Sequence, residues 1–411
     1  MSNRREQGKI KSFINTYSGL PKDIYILFIA RVINCMGNFV YPFLTFFLKD
    51  KLQMSPKKIG FFITIAAVVG GIGCLVGGKI SDKLGRKKVI ILCQSIAAIA
   101  LILCGITNNP HFVVGLLIVS GFFNGAAQPA NSAMIADLTN QKNRKSAFSL
   151  LYLGINIGYA VGPLIAGFLY KNYMRILFIG DGISTIISLL LVMGFVKDTM
   201  PTLSHDAVNL EESDERAEKG STIAVLFSRP NLLLFTLISI IYSFIYAQAG
   251  YVIPLQIKEL FLQNSSKLYG SLMTVNALTV VFFTTLITHF TKKYKSILNI
   301  ALAGIFYALG FGMLAFVNVY FMFVISTIIW TIGEILSSTN SGVFIANHSP
   351  SSHRGRFNAI IPIISGAGYA IAPSIMGGFL EKFGFTVSWM IVMILSIISS
   401  FFMYMLYLKE K

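Results

Sequence analysis

Residues 77–88 read GGKISDKLGRKK. Two glycines end one apolar run. One acid, a third glycine and five basic residues follow, and a second apolar run opens at Val89. A hairpin this short and this charged, set between two long greasy segments, suits two membrane crossings joined on the face that retains positive charge.

The rest of the chain agrees. Of 411 residues, 55% are hydrophobic and 12% are charged, against about 25% charged in a soluble domain. The mean hydropathy is +0.70. The first 22 residues are polar and basic, and no small-residue cleavage site follows a short apolar core, so no cleavable signal peptide is expected. Cys35, Cys74, Cys93 and Cys104 all fall inside apolar runs without metal-ligand spacing. They read as small apolar residues. A net charge of +17 could point to nucleic acid, but the basic residues cluster in short loops, where they set membrane orientation instead.

A crossing needs roughly 20 mostly apolar residues. Twelve runs qualify: 24–48, 58–78, 89–107, 111–136, 146–170, 174–196, 230–256, 268–290, 296–316, 319–345, 357–380 and 386–408. Lipid leaves free backbone groups without partners, and the runs do not alternate as barrel strands do, so an all-α membrane protein is expected. Loops on the side of the termini hold 24 Lys and Arg, and the opposite loops hold 9. The positive-inside bias then places both termini in the cytoplasm of a cell-membrane protein. The stretch 197–229 is acidic, with Glu211, Glu212, Asp214, Glu215 and Glu218. It reads as a cytoplasmic linker between six-helix bundles at 1–196 and 230–411.

These halves repeat. Shifted by 210 residues, KKIGFFITI (57–65) lies on KLYGSLMTV (267–275), and GYAVGPLIAG (158–167) lies on GYAIAPSIMG (368–377). Arg144 falls on Arg354. Pro42 falls on Pro254 after a two-residue adjustment. A tandem repeat of six spans is the mark of a two-halved transporter with its substrate site between the halves near mid-membrane.

The stretch Gly78-Lys-Ile-Ser-Asp82-Lys-Leu-Gly85-Arg86-Lys87-Lys88 is similar to the signature loop of the major facilitator superfamily. The second-half counterpart THFTKKYKS (288–296) keeps only the basic residues. Gly154, Gly158, Gly162-Pro163 and Gly167 resemble the glycine–proline motif of that family's proton-coupled drug antiporters. WTIGEILSSTNS (330–341) and NSAMIADLTNQKNRK (131–145) resemble a bacterial multidrug subgroup. The resemblance implies the major facilitator fold and alternating access. One departure is that many drug antiporters carry an arginine in the fourth span, one turn before a glycine. GFFNG (121–125) has Gly121 there.

Each constellation has a physical reading. In the hairpin, Gly85 permits a turn of unusual φ and Gly78 permits close helix approach. Asp82 can accept from amides at a helix start or pair with an arginine. With Arg86 and Arg144 these residues form a candidate conformational latch, and Asp82→Asn should leave the protein inserted but slow transport. The glycine row at GxxxG spacing suits helix packing, a hinge or a seal, and Pro163 permits a bend. Charged residues within spans cost about 2.5–3.5 kcal/mol on insertion scales, so they are usually functional. Glu334, near the middle of the tenth span, is the leading proton-coupling candidate. Asp137 reads equally as a local ion-pair member or a proton relay. Asp181 reads as a second proton site or as a partner of backbone or Ser184. Arg31 can attract an anionic group, hold a carboxylate or snorkel.

Family geometry implies a cavity lined by spans 1, 4, 7 and 10. With Arg31, the candidates there are Asn34, Asn38, Asn124, Gln128, Asn131, Tyr242, Tyr246, Gln248, Ser338 and Asn340. Aromatic and amide linings suit amphipathic, often cationic ligands, with Glu334 as counter-charge.

There is no GxxxxGK[ST] loop, metal cluster or visible Ser–His–Asp arrangement in the sequence. The chain therefore reads as a transporter rather than an enzyme, without cofactor, driven by an ion gradient and acting as a monomer. Its expected partners are a small-molecule substrate, protons and the bilayer, with no nucleic acid. The leading expectation is proton-coupled export of amphipathic compounds. Symport of a metabolite, sugar or peptide is the alternative, although the first span lacks the ExxER cluster of proton-coupled peptide carriers. A transporter-like sensor is a third option, which counterflow of labelled substrate would separate.

Overall fold

A computed structural model describes residues 17–140, 143–199, 226–349 and 354–409. All regular structure among them is helical. The acidic residues of the expected linker and the side chain of Arg354 lie outside the described set.

The helices are α1 (Lys22–Met36), α2 (Leu44–Lys51), α3 (Pro56–Leu84), α4 (Arg86–Ile106), α5 (Pro110–Asp137), α6 (Arg144–Leu169) and α7 (Met174–Phe195), then α8 (Pro230–Tyr246), α9 (Gln248–Phe261), α10 (Ser265–Thr291), α11 (Ser296–Met313) and α12 (Tyr320–His348). The final helical stretch, Arg354–Lys409, reverses at Gly384 (φ 74°) and so contains two helices, α13 (354–383) and α14 (385–409). Nine helical segments among the described residues are long and apolar enough to cross a membrane. Two of these, Pro230–Thr291 with 62 residues and Ile360–Lys409 with 50, are each long enough for more than one crossing. Large apolar side chains such as Phe282, Phe290, Phe195 and Leu75 are well exposed, as lipid-facing residues are and a water-soluble surface seldom allows.

Local sequence sets the ends and breaks. Gly85 (φ 92°) makes the turn between α3 and α4, a conformation that costs glycine little. Asn109 caps α5 by accepting from the His111 amide at 3.0 Å, with Pro110 at the first helical position. The first apolar run is interrupted: α1 stops at Gly37 and helix resumes only at Leu44. Irregular backbone at membrane depth needs protein partners. One is Asp181 of α7, whose carboxylate accepts the Val40 amide at 3.1 Å.

The chain divides into two compact units, Met1–Pro42 with Ala66–Leu203, and Phe43–Ile65 with Ser204–Lys411. In the first, α1 packs on α6 and α7, and α4 packs on α5 and α7. The row Gly154, Gly158 and Gly162 lies against α1. A β-carbon at Gly154 would meet the Phe28 ring at 3.0 Å, one at Gly158 would overlap Cys35, and one at Gly162 would lie 2.8 Å from the Met36 carbonyl. That is the close contact GxxxG spacing allows.

The second unit repeats the scheme. Here α11 packs on α12, and both α8 and α11 pack on the stretch containing α13 and α14. Gly368, the counterpart of Gly158, sits against the Ile240 carbonyl of α8, so each glycine abuts the first helix of its own repeat. Phe43–Ile65, drawn from the first half of the sequence, belongs to this second unit. Lys258 Nζ stands 2.9 Å from Asp50 Oδ1, Thr45 donates to the Gly250 carbonyl at 3.2 Å, and the Tyr251 hydroxyl donates to the Pro56 carbonyl.

Candidate functional site

Glu334 lies in the middle of α12, in a stretch otherwise built from apolar, small and hydroxyl residues. Both carboxylate oxygens are engaged. The Tyr246 hydroxyl donates to Oε1 at 2.9 Å, and Asn276 Nδ2 donates to Oε2 at 2.8 Å. Asn276 Nδ2 also reaches Thr331 Oγ1 at 2.9 Å, and the Thr331 hydroxyl is turned back onto the Thr327 carbonyl. Three elements therefore converge on one acid: α12 supplies Glu334, α10 supplies Asn276, and the last residue of α8 supplies Tyr246. Tyr246 is the last residue of α8, and Ala247, itself in helical conformation (φ −58°, ψ −22°), joins it to α9.

Aromatic rings border this acid. Tyr246 meets Trp330 edge-on at 6.0 Å and lies 6.5 Å from Tyr307, while Phe311 stacks on Trp330 at 5.5 Å. Trp330 is 1% exposed, so it forms a fixed wall. The arrangement sets a half-buried carboxylate beside a tyrosine that is itself packed on buried aromatic rings. Asn276 and Thr331 escaped the sequence reading. The usable signal was that Asn276 is the only amide in the apolar run 268–290.

The other candidates scatter. Tyr242 turns into its own bundle, 5% exposed, and donates to the Ile300 carbonyl at 2.8 Å. Gln248 is fully buried and donates to Phe244. Asn340 accepts from Asn299 of α11 at 3.0 Å, and Ser338 donates to the Ile335 carbonyl. In the first unit, Asn38 donates to the Tyr159 hydroxyl at 2.9 Å and Asn124 to Ser120 at 3.3 Å. Gln128 is exposed. Arg31, Asn34 and Asn131 share the wall of one small cavity inside the first unit.

The hairpin is organised around Arg86. Its Nη1 lies 2.9 Å from Asp82 Oδ1 and donates to the Ser81 carbonyl at 2.8 Å, and its Nε is 3.4 Å from Asp137 Oδ2. Asp137 thus pairs with Arg86. Arg144 instead donates to the Ala136 and Thr139 carbonyls at 3.1 and 3.2 Å, closing the end of α5. Lys87, which sequence alone presents as an orientation signal, donates to the Met193 and Val196 carbonyls at the end of α7. Close approach falls to Gly77, not Gly78 as expected. A β-carbon at Gly77 would overlap Ala126, whereas one at Gly78 would meet the Pro129 ring at an ordinary 3.8 Å. Gly78 is turned about 100° from that contact and meets α5 only at that longer distance. Asp181 accepts the Val40 amide with its carboxylate, and Ser184 donates to the Asp181 backbone carbonyl at 2.8 Å.

The sequence profile of the Major Facilitator Superfamily matches residues 27–261 and 260–411. The chain belongs to the Major Facilitator Superfamily. Its relatives in that superfamily include a Na(+), Li(+), K(+)/H(+) antiporter of Planococcus maritimus, 24% identical over 90% of this chain and 92% of that protein. Another is the quinolone resistance protein NorA of Staphylococcus aureus, 23% identical over 47% of this chain and 50% of that protein. Among solved structures, a POT family transporter in complex with 5-aminolevulinic acid superposes with a TM-score of 0.79 at 13% identity, covering 95% of this chain and 96% of that one. The nucleoside transporter NupG superposes with a TM-score of 0.73 at 14% identity, covering 94% and 99%. These superpositions show the shared fold. As a Major Facilitator Superfamily member, the chain is a multi-pass membrane transporter of small molecules rather than an enzyme.

Proposed function

We propose that this transporter is a proton-coupled exporter of amphipathic small molecules that works by alternating access, with both termini in the cytoplasm. The observation that carries the reading is the Glu334 carboxylate held between Asn276 and Tyr246. Ionised, it accepts from both donors and offers a counter-charge to a cationic, ring-bearing cargo beside Trp330 and Tyr307. Protonated, it loses that counter-charge and one of its two acceptor contacts, so cargo is released. A site that binds cargo in one protonation state and not in the other exchanges cargo for protons, because the two ligands prefer different states of one carrier. Tyr246 and Glu334 stand on different helices, α8 and α12, so a shift between the two moves a donor on or off the acid. The antiporter and drug-resistance relatives support the same class of activity.

The test uses proteoliposomes with a trapped pH dye. Adding a lipophilic cation such as ethidium to wild-type vesicles held under a proton gradient should dissipate the gradient and accumulate the dye cation. Glu334→Gln should do neither while remaining folded. Unaltered gradient-driven transport by Glu334→Gln would defeat the proposal. A second reading, exchange of a monovalent metal cation for protons, is favoured by the Planococcus maritimus relative. Dissipation by sodium, lithium or potassium salts, without response to lipophilic cations, would select it.

A further inference from the structure

The first unit holds a small, partly open cavity of about 30 Å³ whose lining includes none of the Glu334 cluster. It lies among α1, α4, α5, α6 and α7. Five polar side chains line it, Arg31, Asn34, Gln94, Asn131 and Ser188, on walls that are otherwise aliphatic. Two of the amides already spend their N–H groups elsewhere: Asn34 donates to Thr185 at 3.0 Å, and Asn131 donates to the Ala127 carbonyl at 3.0 Å. No carboxylate lines the cavity, and among the described residues Arg31 makes no ion pair or hydrogen bond. Its guanidinium carries five N–H donors and cannot accept. Arg31 is partly exposed, so its guanidinium is half desolvated by the cavity wall. Within such surroundings it calls for an opposite charge, because a half-desolvated ion without one is costly.

The volume narrows the partner. About 30 Å³ of this kind of space holds roughly two water-sized atoms. It excludes an aromatic ring and admits a halide or a carboxylate group. Arginine's planar fork matches a carboxylate with two parallel bonds.

We propose that this cavity binds a compact monovalent anion on Arg31, with Gln94 and Ser188 supplying further donors. The anion is either a free ion or the carboxylate end of a cargo molecule, since both present the same charge and size to the guanidinium. The proposal does not depend on Glu334 coupling protons.

The experiment measures the apparent melting temperature of the purified full-length protein at fixed ionic strength. Chloride, formate or acetate is titrated in place of the bulky sulfonate MES, which the cavity cannot admit. A compact anion should give a saturable rise of about 3 °C at saturation. Arg31→Gln should remove the rise, Arg31→Lys should raise the half-saturating concentration about tenfold, and Glu334→Gln should keep it. A response to chloride and acetate alike identifies a free anion. A response to formate and acetate without chloride identifies a carboxylate-bearing cargo. If Arg31→Gln does not purify as a monodisperse species, the double variant Gln94→Ala/Ser188→Ala replaces it, with a severalfold rise in half-saturating concentration expected. No anion-specific rise in the wild type, an equal rise in Arg31→Gln, or an unchanged titration in the double variant would overturn the proposal. Loss of proton exchange in Glu334→Gln with the anion response intact separates this site from the coupling site.

Discussion

Asn276 Nδ2 stands 2.8 Å from Glu334 Oε2, joining α10 to α12 across 58 positions of sequence. The carboxylate has Tyr246 as its other donor. Replacing Asn276 by Leu strips one oxygen of its partner, and an unsatisfied buried acceptor costs about 1–3 kcal/mol. Asn276→Leu should therefore slow proton-driven exchange by about tenfold or more, while Asn276→Gln, which keeps a donor, should lose less. Initial rates in proteoliposomes check this. Equal rates in Asn276→Leu and the wild type would mean that the contact plays no part in transport.

The Asp50–Lys258 pair, 2.9 Å apart with side chains 23% and 30% exposed, ties α2 to α9. A half-exposed pair of this kind is worth about 1 kcal/mol. Asp50→Asn and Lys258→Gln should each lower the apparent melting temperature. The double variant should fall no further than the worse single variant, giving a coupling of about 1 kcal/mol. Additive losses would show that the two charges act independently.

Gly77 and Gly78 should respond oppositely to alanine. At Gly77 the new methyl overlaps the Ala126 backbone, and overpacking of that kind costs about 1–3 kcal/mol. At Gly78 it meets the Pro129 ring at 3.8 Å. There the helix-propensity gain of about 0.5–1 kcal/mol is left unopposed. Thermal unfolding monitored by size-exclusion chromatography should rank Gly78→Ala at or above the wild type and Gly77→Ala below it.

Arg86 should matter to stability more than either of its acids. Its side chain is 13% exposed, against 34% for Asp137 and 72% for Asp82. Arg86→Gln leaves Asp137 without its cation and should cost about 1–3 kcal/mol. Asp82→Asn changes a well-exposed acid and should shift stability by about 0.5 kcal/mol at most. If Asp82→Asn nevertheless slows transport at unchanged melting temperature, its contribution is to the conformational cycle and not to the fold. Transport at the wild-type rate would remove Asp82 from the latch.

The all-helical membrane fold and the superfamily were legible because both are written along the chain. Apolar run length, the charged GGKISDKLGRKK turn and the 210-residue echo of GYAVGPLIAG are linear properties. The candidate site was legible in its acid and, as one of many lining candidates, in Tyr246. Glu334 stood out because ionisable groups are scarce in apolar helices. Its partners did not, because asparagines and tyrosines occur in many spans and only helix rotation decides which ones meet. Tyr242 and Tyr246 show the difference. They lie four residues apart on one helix, yet one bonds the Ile300 carbonyl of its own bundle and the other bonds Glu334.

Sequence by itself determined that this protein is helical, lies in a membrane, repeats itself and carries, among the few acids of its apolar spans, Glu334 near the middle of one. Tertiary structure decided that Asn276 and Tyr246 hold that acid, that Asp137 answers Arg86 rather than Arg144, that Gly77 takes the close contact expected of Gly78, and that Arg31 faces a cavity inside its own bundle. The reason is geometric. Hydrophobicity is counted residue by residue along one dimension. A hydrogen bond or an ion pair forms only when two helices far apart in sequence are packed and turned so that two side chains arrive within about 3 Å.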